Sequence, residues 1–149
     1  MKVKSHSTAV EISYFRLSLF SYLRDSHPEK ASDRSFIALR GDAAAEAYSA
    51  AVKSGHTHDE AGEIASEILY AGLHFSPYRT IVCILWDEFA DAIDPDRAEH
   101  LALELLPRLS PLFLQYALTD DFADSTEYEL LYTELVGEIQ TLLEDGNLQ

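Results

Sequence analysis

The chain has 149 residues, enough for one domain with a sizeable core, and 47% hydrophobic with 11% aromatic content excludes a disordered chain. A single Cys excludes an internal disulfide and an all-Cys zinc site. The formal net charge of −15 is uneven, with seven Lys or Arg against four Asp or Glu in residues 1–40 and four against 22 in residues 41–149. This balance argues against nucleic acid or an anionic membrane as a direct partner, because phosphate contact needs cations, and it permits a basic protein partner.

Lys2 and Lys4 open the chain, but Glu11 and Arg16 interrupt the apolar run a signal peptide would need. The uncharged stretch from Leu109 to Thr119 contains Pro111 and falls far short of the ~20 apolar residues of a spanning helix. The expectation is a soluble, cytoplasmic protein.

In the first segment Thr8 precedes Glu11 at capping-box spacing, and Ile12, Phe15, Leu19 and Leu23 recur at helical intervals. Tyr14, Leu17 and Phe20 widen the apolar face, which predicts burial on more than one side. His27-Pro28 ends the helix, since the residue before Pro avoids the α region. The Ala-rich segment "SDRSFIALRGDAAAEAYSAAVKSG" predicts a second helix with close helix–helix approach, a possible kink at Gly41 and a stop at Gly55. Thr57 and Glu60 again have capping-box spacing and open a third helix, along which Glu60, Glu63 and Glu67 form an acidic rail.

"SPYRTIVCILWDEFAD" is the ambiguous stretch. Its β-branched residues suit a strand, but Ser76 as N-cap, Pro77 at the first helical position and a length reaching Ala92 predict a helix. Apolar residues surround its middle, Cys83, Ile84 and Trp86 included, so it is predicted to be buried all round at the centre of the bundle. Asp94-Pro95 opens a fifth helix lined by Leu101, Leu105 and Leu106, which Pro107 and Pro111 are expected to break or bend. A last amphipathic helix carries Tyr128, Leu131, Leu135, Ile139 and Leu142 in register. The expected architecture is all-α: one domain over 1–149, a bundle of about six helices around a central buried helix.

Three groups could carry chemistry. His56, His58, Asp59 and Glu60 form a zinc- or nickel-type donor set, but the two His straddle a loop-to-helix junction and need not converge. Cys83 lies mid-helix in an apolar run, which predicts a packed thiol rather than a nucleophile. Asp87, Glu88 and Asp91 share one side of a helix near its C-terminus, where negative charge is unfavourable unless neutralised, with Arg79 and Arg97 as candidate neutralisers, or held for a partner. No phosphate loop, dinucleotide-binding glycine motif, nucleophile elbow or His-Glu-x-x-His occurs.

The segments "ISYFRLSLFSYLRDSHPE", "AAAEAYSAAVKSG", "EILYAGLHFSPYRTIVCILWDEF" and "LTDDFADSTEYELLYTEL" resemble a family of small uncharacterised helical proteins from Bacteroidetes. The resemblance covers nearly the whole chain. It implies an all-α fold, a bacterial cytoplasm and frequent encoding on conjugative mobile elements, and it implies no catalytic residue.

The leading expectation is a non-enzymatic protein-interaction or self-associating domain without a cofactor. Tyr78, Tyr128 and Tyr132 would be its exposed aromatic anchors, and Asp87, Glu88 and Asp91 its acidic contacts. One alternative is an acidic DNA mimic, with residues 87–145 engaging a basic DNA-processing protein. Another is a metal-dependent enzyme using His56–Glu60 or the Asp87 cluster.

Overall fold

A computed structural model describes residues 9–146, which form six α-helices and three short 3₁₀ turns, with no strand among the described residues. The chain divides into two compact units, Met1–Leu73 and His74–Gln149, and each has its own apolar cluster.

The first unit holds α1 (Ala9–Ser26), α2 (Arg34–Lys53) and α3 (His58–Leu69). Thr8, the expected cap of α1, lies outside the described residues. Phe15, Leu19 and Leu23 of α1 pack with Ile37, Ala44 and Ala45 of α2 and Ala65 and Leu69 of α3. Of the α2 alanines, Ala43 and Ala50 are exposed, whereas Ala44, Ala45 and Ala51 are buried against the neighbouring helices, where small side chains suit close approach. Gly41 serves the same end. A Cβ there would lie 2.7 Å from Arg16 Cγ and 3.2 Å from the Arg16 backbone. Gly41 is therefore a crossing point with α1, and α2 runs unbroken through it to Lys53.

Side chains satisfy the starts of α2 and α3 and the end of α3. Asp33 Oδ1 accepts from Phe36 N at 3.1 Å. The predicted capping box of α3 is complete, with Thr57 Oγ1 accepting from Glu60 N at 3.1 Å and Glu60 Oε1 accepting from Thr57 N at 3.0 Å. Arg40 Nη1 donates to the carbonyls of Ile68, Leu69 and Ala71 and so places a cation at the C-terminus of α3. Buried His27 has Nε2 2.8 Å from the Leu73 carbonyl oxygen, so that nitrogen carries the proton; the Tyr22 hydroxyl donates to the same oxygen at 2.7 Å.

Burial of α1 on more than one side is not what the structure has. Tyr14 and Leu17 are each 64% exposed. The three-residue stripe Phe15, Leu19 and Leu23 already fills the gap against α2 and α3, so the wider apolar face stays outside.

The second unit holds α4 (Pro77–Glu88), α5 (Ala98–Phe113) and α6 (Thr126–Glu144). Ser76 Oγ accepts from Arg79 N at 2.9 Å, and Pro77 takes the first turn, which settles helix over strand for this stretch. The helix ends at Glu88, short of the expected limit at Ala92. Ile81, Val82, Ile84, Leu85 and Phe89 pack with Leu101, Leu105 and Leu109 of α5 and Leu131, Leu135 and Ile139 of α6.

The expectation that α4 is apolar and buried all round is corrected at Cys83 and Trp86. Both are exposed, on the same side as Asp87. These residues recur at i, i+3 and i+4, so they form the outer stripe of the helix despite their apolar character. Trp86 stays there by donating Nε1–H to the Pro95 carbonyl at 3.1 Å and by lying under the Arg79 guanidinium, 5.5 Å from its ring. The Cys83 thiol should accordingly react with a soluble disulfide reagent in the native protein, at a rate within about tenfold of the unfolded chain. A thiol silent until denaturant is added would contradict this placement.

Pro107 and Pro111 do not break α5, which runs from Ala98 through both. Both rings face outwards, while Leu101, Ala102, Leu105, Leu109 and Phe113 form a continuous buried stripe on the other side. Proline frees carbonyls on the exposed side alone, and burial of the apolar stripe outweighs that loss.

Candidate functional site

The predicted donor set does not converge. His56 Nδ1 lies 3.4 Å from Glu60 Oε1, whereas His58 Nδ1 lies 2.6 Å from the Tyr48 hydroxyl with the two rings stacked. Glu60 is already engaged by the Thr57 backbone N–H, and this bond, followed by the one to His56, holds its carboxyl below the ordinary value. Asp59 is exposed at the start of α3. Among the described residues no three His, Cys, Asp or Glu side chains are grouped so as to hold a metal ion.

The acidic and aromatic residues of the second unit are partly brought together. The Tyr132 hydroxyl donates to Glu88 Oε2 at 2.8 Å and joins α6 to the end of α4. Burial and then this bond push the Tyr132 phenol well above its ordinary range. Tyr128 is half-buried, with its ring centroid 6.1 Å from Phe75, 6.2 Å from Phe122 and 6.1 Å from Tyr132. Tyr78, expected to be an exposed anchor, is 5% exposed, and its hydroxyl points to the Glu99 carbonyl at 3.4 Å. The reason is its place on the inner side of α4, three residues before Ile81. Arg79 pairs with Glu99 at 3.0 Å, so its charge goes there rather than to the Asp87 cluster. Asp87 and Asp91 remain on the surface. These tyrosines act mainly as internal packing groups of the unit.

Sequence reasoning missed two grooves, both alongside α1. The first, about 410 Å³, is lined by Val10, Tyr14, Phe15, Tyr48, His58 and Gly62. It continues over the acidic side of α3, past Asp59, Glu63 and Glu67. Glu11 at its edge accepts from Ser49 Oγ at 3.1 Å.

The second groove, about 490 Å³, lies between α1 and α2, with Leu17, Phe20, Ile37 and Ala38 as apolar lining and Arg16 and Arg34 at the margins. It runs on into a further region of about 390 Å³ that adds Arg24, Pro28 and Ala31. Arg16 is committed to Asp42 by two hydrogen bonds of 2.9 and 2.8 Å. Arg24 lies over the Phe20 ring at 5.6 Å. Leu39, 75% exposed, projects from the same helix as Ile37. The signal that could have found this groove was in the sequence: seven of the 11 Lys and Arg fall in residues 1–40, and three of these, Arg16, Arg24 and Arg34, border the groove.

Neither groove presents a nucleophile with its base and orienting group. What each offers is apolar surface beside charge of one sign, which is the chemistry of binding an amphipathic segment.

Residues 7–148 match a family model described as a domain of unknown function, DUF1896. The chain belongs to the DUF1896 family. It is similar to protein PG0816 from Porphyromonas gingivalis, whose crystal structure superposes with a TM-score of 0.89 at 46% identity, covering 93% of this chain and 95% of that one. That source, a member of the Bacteroidetes, agrees with the family resemblance read from the sequence. No curated protein matches this DUF1896 chain. Among the described residues, no helix is long and apolar enough to cross a membrane.

Proposed function

We propose that this DUF1896 chain is a protein-interaction domain of the cytoplasm with no chemistry of its own. The observation that carries the reading is the unburied apolar face of α1. Val10 at 78%, with Tyr14 and Leu17, projects outside a core that three other residues of the same helix complete. Single exposed apolar residues are common, but here they line grooves on both sides of one helix. A surface of that kind loses water-exposed apolar area only when another chain covers it.

The test is capture from a host extract on immobilised wild-type protein and on a Tyr14→Asp/Leu17→Asp variant. Both positions are exposed, so the variant should keep its helical circular dichroism. The expected result is a protein, a second copy or another chain, that the wild type retains and the folded variant releases. Equal retention by both, or no retained protein, overturns the reading.

A further inference from the structure

The α1–α2 groove combines two features that fold stability alone does not explain. Its lining is apolar and open, with Leu17 at 64% exposure. Its margin carries Arg34, the first residue of α2, where the helix dipole disfavours a cation. Arg34 is exposed and has no ion pair among the described residues; Arg24, further along, lies over the Phe20 ring and likewise has no ion pair among the described residues. In a chain of net charge −15, these cations stand around an apolar groove rather than scattered among the carboxylates.

The complementary surface lies on α6 of the second unit. Glu127, Leu130, Glu134 and Glu138 are all exposed and recur at i, i+3, i+7 and i+11, a straight stripe along one helix face. Leu130, 61% exposed, is its apolar member, with a carboxylate about one turn away on either side. Glu134 accepts from the Tyr116 hydroxyl at 2.6 Å, which fixes its position, and Glu127 has no ion pair among the described residues. The groove offers an apolar slot with Arg34 and Arg24 along its margin towards Phe20 and Ile37; the stripe offers an apolar knob with anions beside it.

Resting on the protein-interaction reading, we infer that the α1–α2 groove receives the outer face of α6 from a second copy of the chain. Leu130 enters beside Leu17, Phe20 and Ile37, and Glu127 and Glu134 meet Arg34 and Arg24. A second copy is the partner for which both halves of the match are on one molecule. The contact is heterologous, so two copies can exchange it and close, or a series of copies can extend it. Exposed ion pairs at its rim make association weaken with salt.

Sedimentation velocity on the full chain over a wide concentration range, at low and at high salt, tests this. The wild type should associate as concentration rises, less so at high salt. Arg34→Glu and Glu127→Arg should each weaken association by about tenfold or more, and an equimolar mixture of the two should recover it. Leu130→Asp should abolish it with circular dichroism unchanged. A wild type that stays monomeric, or association that survives both Arg34→Glu and Leu130→Asp, overturns the inference. If the wild type is monomeric yet still retains another protein through Tyr14 and Leu17, the self-association inference falls and the interaction reading stands.

Discussion

Leu85→Ala is expected to destabilise the unit of α4, α5 and α6 by about 2–5 kcal/mol. Leu85 is 1% exposed and sits within the cluster that joins the three helices. Truncation removes the transfer free energy of the lost carbons and leaves a space within a cluster of fully buried side chains that can relax only in part to fill it. Two residues away on the same helix, Cys83→Ala should cost no more than about 0.5 kcal/mol, because that side chain faces outwards. Guanidinium unfolding of the two variants measures the contrast. Similar costs at both positions would mean that α4 is buried all round after all.

The second large effect is expected at Gly41. Gly41→Val should cost about 1–3 kcal/mol, since even the first added carbon would press on Arg16 at 2.7 Å and on its backbone at 3.2 Å. Arg16 cannot simply swing aside, because its guanidinium is held by two bonds to Asp42, the residue next to Gly41. Gly62 is the internal control. It lies inside α3 with nothing within 4 Å of where a Cβ would sit, so Gly62→Ala should stabilise the helix by about 0.5–1 kcal/mol. Thermal unfolding that moves both variants in the same direction would show that propensity, and not the α1–α2 crossing, decides at Gly41.

The all-α fold was legible because helix signals in this chain are local. Ser76 before Pro77, and Thr57 three residues before Glu60, are start signals whose hydrogen bonds form within one turn, and both form as read. The inward registers of α5 and α6 were equally legible, because Leu101, Leu105, Leu131, Leu135 and Ile139 recur at the helical period with polar residues between them. Periodicity misled where apolar residues exceed what one face can hold. Around Cys83 and Trp86, and around Tyr14 and Leu17, composition alone predicts burial on every side. How many neighbours a helix has is set by packing between segments far apart in sequence. The same holds for Tyr78, whose aromatic type suited an exposed anchor but whose register points inwards.

Residues within a turn of one another, and composition, therefore account for the all-α class, the caps at Thr57 and Ser76 and the charge asymmetry, but not for the end of α4 at Glu88 or the unbroken course of α5 through Pro107 and Pro111. Which apolar stripe of α1 stays outside, the crossing at Gly41, the separate partners of His56 and His58 and the position of Arg24 and Arg34 along one apolar groove emerge only from the folded chain. Those facts depend on which surfaces compete for the same buried space, and that competition is resolved only when whole helices meet.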